Sequence, residues 1–242
     1  MIPVLVTRAE PGLSRSVAAL EMAGYAPVSL PLFEVTDTGN ELPADFEDHF
    51  IFTSANALEV LKRRNWHPSN EQAIAWCVGD KTAQAAREIG FVNVRSAAGG
   101  GARLVQQIAD HGYESGSRFR YFTAPDRSYD VAGALGTHGH VVDTTEIYRV
   151  DLRRPTAEEF IAVMAKVKNG ALFVYSKRSG DHLAGLIKEN IDHVNTESMV
   201  VVAISESATN MLLNLPWRGV YASPKADETS MISRLAMVFN RP

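Results

Sequence analysis

Short apolar runs recur along the chain, separated by longer stretches whose apolar positions follow a helical spacing. Val4-Leu5-Val6 comes first, and Leu13, Val17 and Leu20 then mark a helix that Gly24 ends. Further runs follow at Val28-Ser29-Leu30, Phe50-Ile51-Phe52, Ile74-Ala75-Trp76-Cys77-Val78 and Val92-Asn93-Val94. Strands alternating with helices predict an α/β protein on parallel sheets. In such sheets ligands bind at the carboxyl ends of the strands, which makes the strand-to-helix turns the places to search for chemistry.

From about Phe119 the same order of events begins again. Thr7 matches Thr123, Leu20 matches Leu135, Gly24 matches Gly139, Phe33 matches Tyr148 and Val35 matches Val150. Phe50 to Ser54 then lies on Phe173 to Lys177, and Val78 to Lys81 on Ile204 to Ser207. Hydroxyl residues stand at the turns of both copies: Thr7, Thr53 and Ser54 in the first, Thr123, Ser176 and Ser205 in the second. As helix N-caps they can serve stability alone, and at strand ends they can also meet a ligand; both readings hold at once.

At 242 residues, one large or two modest domains are the expectation. The net charge of −4 argues against broad nucleic-acid binding but leaves room for an acidic ligand held by a few cations and helix N-termini. No apolar run has membrane-spanning length, the first residues do not read as a secretory signal, and the single Cys77 permits no internal disulfide, so a cytoplasmic location is expected. The seven histidines show no metal-ligand spacing, and His138-Gly139-His140 reads as a solvated turn. Gly99-Gly100-Gly101 lacks the Gly-Lys-Ser/Thr ending of a phosphate loop and reads as a lead into a helix carrying Leu104, Val105 and Ile108.

Taken in order, Val4-Leu5-Val6-Thr7-Arg8, Leu30-Pro31-Leu32, Phe50 to Ala57, Val78 to Ala83, Glu146-Ile147-Tyr148-Arg149-Val150 and Ile204 to Ala208 resemble the uroporphyrinogen-III synthase family across nearly the whole chain. The second copy reads Ser207-Ala208-Thr209 where the first has Lys81-Thr82-Ala83, so its hydroxyls are displaced. The resemblance implies two doubly wound, flavodoxin-like parallel-sheet domains joined by a two-stranded connector, with the ligand cleft between them. The repeat assigns residues 1–35 and 151–242 to one domain and 36–150 to the other, placing Val4-Val6 in a sheet with the strands near Phe173 and Val201 and Ile51 beside Tyr121.

The implied substrate is hydroxymethylbilane, an acidic linear tetrapyrrole that loses water and closes with its last ring inverted. Its pyrrole nitrogens supply the electron push, so no cofactor is expected, and the working form is expected to be a monomer without nucleic-acid or membrane partners. Tyr148 is the candidate general acid, although a tyrosine between Ile147 and Val150 can equally bury its ring and keep its hydroxyl wet. Substrate-binding candidates on the first copy's turns are Thr7, Arg8, Thr53, Ser54 and Asn56, followed by Gly79, Lys81 and Thr82. Those on the second are Thr123, Asp126 and Arg127, then Ser176, Lys177 and Ser179, with Ser205 and Ser207. Two rivals stay open: a non-catalytic two-domain protein that binds an anionic small molecule, and a doubly wound enzyme acting on a sugar phosphate or nucleotide.

Overall fold

The computed structural model describes residues 1–42 and 49–239. Its elements run β1 (Pro3–Val6), α1 (Gly12–Met22), β2 (Ala26–Ser29), β3 (Phe33–Asp37), β4 (His49–Phe52), α2 (Ala55–Arg63), β5 (Ile74–Cys77), α3 (Asp80–Glu88), β6 (Asn93–Ser96) and α4 (Gly101–Ala109). Then come β7 (Arg118–Thr123), α5 (Val131–Thr137), β8 (Val141–Glu146), β9 (Tyr148–Leu152), α6 (Ala157–Lys166), β10 (Ala171–Val174), α7 (Lys177–Glu189), β11 (Val200–Ala203), β12 (Gly219–Ala222) and α8 (Glu228–Val238).

Two compact units result, Met1–Glu34 with Asp151–Pro242, and Val35–Val150. Each holds a five-stranded parallel sheet, β2-β1-β10-β11-β12 in the first and β8-β7-β4-β5-β6 in the second. Counted along the chain, the first order is 2-1-3-4-5, the flavodoxin-like winding. The second has the same spatial order, with its outer pair β7 and β8 supplied after the other three strands instead of before them. Val4 pairs with Ala171, and Ile51 pairs with Tyr121. Strands β3 and β9 form a separate pair, antiparallel by the bonds from Thr38 N–H to the Ile147 carbonyl and from Arg153 N–H to the Leu32 carbonyl.

Burial explains why the strands read as continuous apolar runs. Every residue of β10 and β11 is buried, because helices cover both faces of a parallel sheet. In the second unit Phe50, Phe52 and Phe122 face α2 and α3, whereas Ile51, Trp76, Phe119 and Tyr121 face α4 and α5. Cys77 belongs to the first of these faces, and burial pushes its thiol up to about 12, which leaves it a core residue.

The paired copies end their first helices in the same way. Gly24 and Gly139 both take positive φ, and the next residue's N–H bonds back to the carbonyl of Leu20 or Leu135. This capping arrangement accounts for the matched Leu and Gly positions. Elsewhere the copies diverge. The buried stripe of α1 is Gly12, Ser16 and Leu20, with Leu13 and Val17 only partly covered. Ser54 and Ser176 are both helix N-caps, so the true register pairs Ser54 with Ser176 and not with Lys177, a slip of one residue. Where α3 follows Gly79, the second copy has only two 3₁₀ turns, Glu206–Ala208 and Leu212–Asn214. There the Thr209 hydroxyl bonds back to the Glu206 carbonyl, a side-chain bond that competes with helix propagation. His140 departs from the solvated reading as well: it is buried and packs edge-on against Tyr113 and Phe119.

One glycine is fixed by close approach. A methyl at Gly180 in α7 would lie 2.3 Å from the Ala208 carbonyl oxygen, whereas one at Gly185 meets nothing within 4 Å. Gly180→Ala is expected to lower unfolding free energy by about 1–3 kcal/mol, outweighing a helix-propensity gain of roughly 1 kcal/mol that Gly185→Ala should show as stabilisation. Urea unfolding midpoints of the two variants check this, and equal shifts would remove the steric explanation.

Candidate active site

In the second unit the chain builds outward from β4 through β5 to β6, then returns to β7 and β8 on the other side. The carboxyl ends of β4 and β7 therefore flank the point where the winding reverses, the usual ligand position in such sheets. A cavity of about 250 Å³ lies there. Thr53 and Ser54 border it from the end of β4, Val78 from β5, and Tyr121 and Thr123 from β7. Gly100 and Gly101 add the start of α4, Asp126 to Tyr129 the loop after β7, and Tyr148 the start of β9. Gly101 lets this wall close, since a methyl there would stand 2.7 Å from the Tyr129 ring.

The Ser54 side chain caps α2 by accepting from Asn56 N–H at 3.2 Å. The Thr53 hydroxyl meets the Tyr121 hydroxyl at 2.9 Å. Tyr148 is 6% exposed. Burial raises the pKa of its phenol, a hydrogen bond with Ser54 works the other way, and the neighbouring Tyr121 adds to the rise. The phenol is therefore held protonated at neutral pH. Arg127 pairs with Glu146 at 2.9 Å on the rim. Neither α3 nor α4 has a side-chain hydrogen bond capping its first turn.

In the first unit the corresponding reversal falls between β1 and β10, and side chains occupy it. Arg8 lies 4.5 Å over the Tyr175 ring and 3.4 Å from Glu228 Oε2. Ser16 donates to the same oxygen at 2.9 Å, and the Tyr175 hydroxyl donates to Oε1 at 2.8 Å. Burial raises the Tyr175 pKa, and the Glu228 charge raises it further.

A family model described as uroporphyrinogen-III synthase HemD matches residues 14–233. The chain belongs to the uroporphyrinogen-III synthase family. It is a cyclising lyase of tetrapyrrole biosynthesis, and the non-catalytic alternative is not favoured. Uroporphyrinogen-III synthetase from Helicobacter pylori shares the fold, with a TM-score of 0.60, 16% identity and 98% of each chain covered. A mutant uroporphyrinogen III synthase from the extreme thermophile Thermus thermophilus aligns over 99% of each chain at 16% identity, with a TM-score of 0.49. No curated protein sequence matches at significance. Among the described residues no helix is long and apolar enough to cross a membrane.

For a uroporphyrinogen-III synthase the cavity brings together six of the residues singled out in the sequence: Thr53, Ser54, Thr123, Asp126, Arg127 and Tyr148. Asn56, Gly79, Lys81 and Thr82 sit on the neighbouring helix starts outside it, Lys81 exposed and Thr82 buried. The remaining candidates are in the first unit. Thr7 is fully buried and donates to the Phe173 carbonyl at 3.1 Å, so its hydroxyl ties β1 to β10. Ser176 and Ser179 satisfy one another in a capping box, and Lys177 pairs with Asp181 at 2.5 Å. The Ser205 and Ser207 hydroxyls lie 3.1 Å apart, with Ser207 exposed. Sequence reasoning missed Tyr121, Tyr129, Tyr175 and Glu228. A phenol inside the buried run Phe119 to Thr123 was the one available signal, since a buried hydroxyl needs a partner.

Proposed function

We propose that the reaction is carried out at the second unit's cavity, with Tyr148 as general acid toward the hydroxymethyl group of hydroxymethylbilane. The observation that carries this reading is a buried phenol lining the cavity at the point where the sheet's winding reverses. The pyrrole nitrogen pushes electrons toward the terminal carbon, the C–O bond breaks, and its electron pair leaves on oxygen. That oxygen takes the Tyr148 proton and departs as water. Ser54 then donates to the phenolate, and the proton released when the last ring regains its aromaticity restores the phenol.

Several turns are suited to the substrate's carboxylates. The uncapped starts of α3 and α4, with Lys81 and Arg127, are suited to anions in the second unit, and Lys177 with the Ser205–Ser207 pair in the first. Arg8, Arg127 and Lys177 contribute less charge than Lys81, because Glu228, Glu146 and Asp181 offset them. Each such contact is worth roughly 0.3–1 kcal/mol when exposed, and about 2 kcal/mol when partly buried. Single replacements such as Lys81→Ala should therefore weaken activity only moderately. The test supplies freshly made hydroxymethylbilane and identifies the porphyrin isomer after oxidation. The parent protein is expected to give type III. Combined replacement of Lys81 and Lys177 should raise the type I fraction, and added salt should act in the same direction. Loss of all type III product from a folded single Lys81→Ala variant would overturn the distributed reading.

The same reading has the enzyme act as a cytoplasmic monomer without a nucleic-acid partner. It is supported by the one buried cysteine and the net charge of −4. Sedimentation at micromolar concentration checks the monomer.

A further inference from the structure

Two tyrosines border the cavity from strands, and only one has a role so far. Tyr121 lies on β7 opposite Ile51 of β4 and is 1% exposed. Its ring packs with Ile51 and Trp76 on the α4 and α5 side of the sheet, while its hydroxyl reaches past the end of β4 to Thr53 Oγ1 at 2.9 Å. A buried phenol needs a partner, but the partner here is one member of a two-residue turn whose other member serves the candidate acid. Thr53 is held by Tyr121, and the adjacent Ser54 is held by the Asn56 N–H at 3.2 Å. The turn is thus pinned at two successive side chains.

That pinning bears on where the Tyr148 proton points. Ser54 Oγ has one proton and two lone pairs. Ser54 and Tyr148 line the same cavity, and with a lone pair taken by Asn56 N–H the Ser54 proton is available to the Tyr148 oxygen. Displacing the turn by a fraction of an ångström would spoil this alignment, and misplacement on that scale costs turnover more than binding.

Resting on the assignment of Tyr148 as the acid, we propose that Tyr121 is a positioning residue. Its bond to Thr53 fixes the turn so that Ser54 orients the Tyr148 phenol toward the departing hydroxyl. Tyr121 does not itself transfer a proton.

The test is a double-mutant cycle with hydroxymethylbilane as substrate, on Tyr121→Phe, Tyr148→Phe and the pair. Tyr121→Phe is expected to lower kcat roughly five- to ten-fold, the worth of one hydrogen bond, with KM unchanged. In the Tyr148→Phe background the same replacement should produce no further loss, because its partner in function is gone. Thr53→Val, which removes the same bond from the other side, should reproduce the kcat loss and guards against a folding defect peculiar to Tyr121. Losses that multiply across the cycle would show that Tyr121 acts independently of Tyr148 and overturn the inference. A normal kcat for both Tyr121→Phe and Thr53→Val beside an impaired Tyr148→Phe would overturn it while leaving the Tyr148 assignment intact. A normal Tyr148→Phe would remove the acid itself, and the positioning role with it.

Discussion

Tyr148→Phe is expected to lower kcat by about 10²–10⁴-fold, the usual contribution of a positioned general acid, while KM stays within roughly a factor of two. The donor acts on the hydroxyl as it leaves, so its removal is felt in the transition state and hardly in the bound substrate. The ring remains and fills the same space beside Ile147 and the α2 side of the sheet, so stability should fall by only about 1 kcal/mol for the bond lost with Ser54. Product analysis gives a second reading. Substrate released unreacted closes in solution without inversion, and the variant should accumulate type I porphyrin where the parent gives type III. The pH profile follows from the raised pKa. The protonated phenol is the active form, burial extends its range upward, and activity limited by Tyr148 should persist past about pH 10, where an ordinary tyrosine ionises. Turnover within about three-fold of the parent would return Tyr148 to a packing role.

Glu228→Ala should destabilise the first unit from a position away from the cavity. The carboxylate accepts from Tyr175 at 2.8 Å and Ser16 at 2.9 Å, faces Arg8, and stands in the first turn of α8, where negative charge is favoured. Its loss takes the carboxylate acceptor from the largely buried Tyr175 hydroxyl and strips Arg8 of its counter-charge. Hydrogen bonds to charged groups contribute roughly 1.5–3 kcal/mol each, and the partly exposed Arg8 keeps water, so a total of about 2–3 kcal/mol is expected. A fall in the urea midpoint at unchanged slope would show this. Glu228→Gln keeps an acceptor for Tyr175 and should lose less than half as much. A Glu228→Ala protein as stable as the parent would mean that the network merely decorates the winding point.

The contrast between the two units shows how far a duplicated pattern can be read. Hydroxyl residues at matching turns mark both reversal points alike. At Thr53 and Ser54 the turn opens on a cavity, whereas the matching turn holds Tyr175, which Glu228 and Arg8 engage. Glu228 is 220 residues from Arg8 along the chain, and no local pattern announces such a meeting. The repeat's register, read from composition, is off by one position at Ser176. Strands of similar composition align almost equally well either way, and only the capping geometry of α2 and α7 separates the choices. Thr7 reads as a turn ligand for a related reason: sequence shows a hydroxyl at a strand end, but not whether it points at solvent or at the next strand's carbonyl, where the structure puts it.

What the sequence determined by itself was set by local chemistry and by its order. Alternating apolar runs and helical stretches required parallel sheets, glycines at Gly24 and Gly139 required left-handed helix ends, and the ordered motifs identified the family. Tertiary structure alone decided which strand ends surround a cavity and which are occupied by side chains, where each hydroxyl is spent, and that Tyr121 meets Thr53 across two strands. The division has a physical cause. Periodicity and turn conformation depend on near neighbours in the chain, whereas a cavity, a raised phenol pKa and a shared proton depend on what distant segments bring within a few ångströms, which burial and packing settle only once the whole sheet has formed.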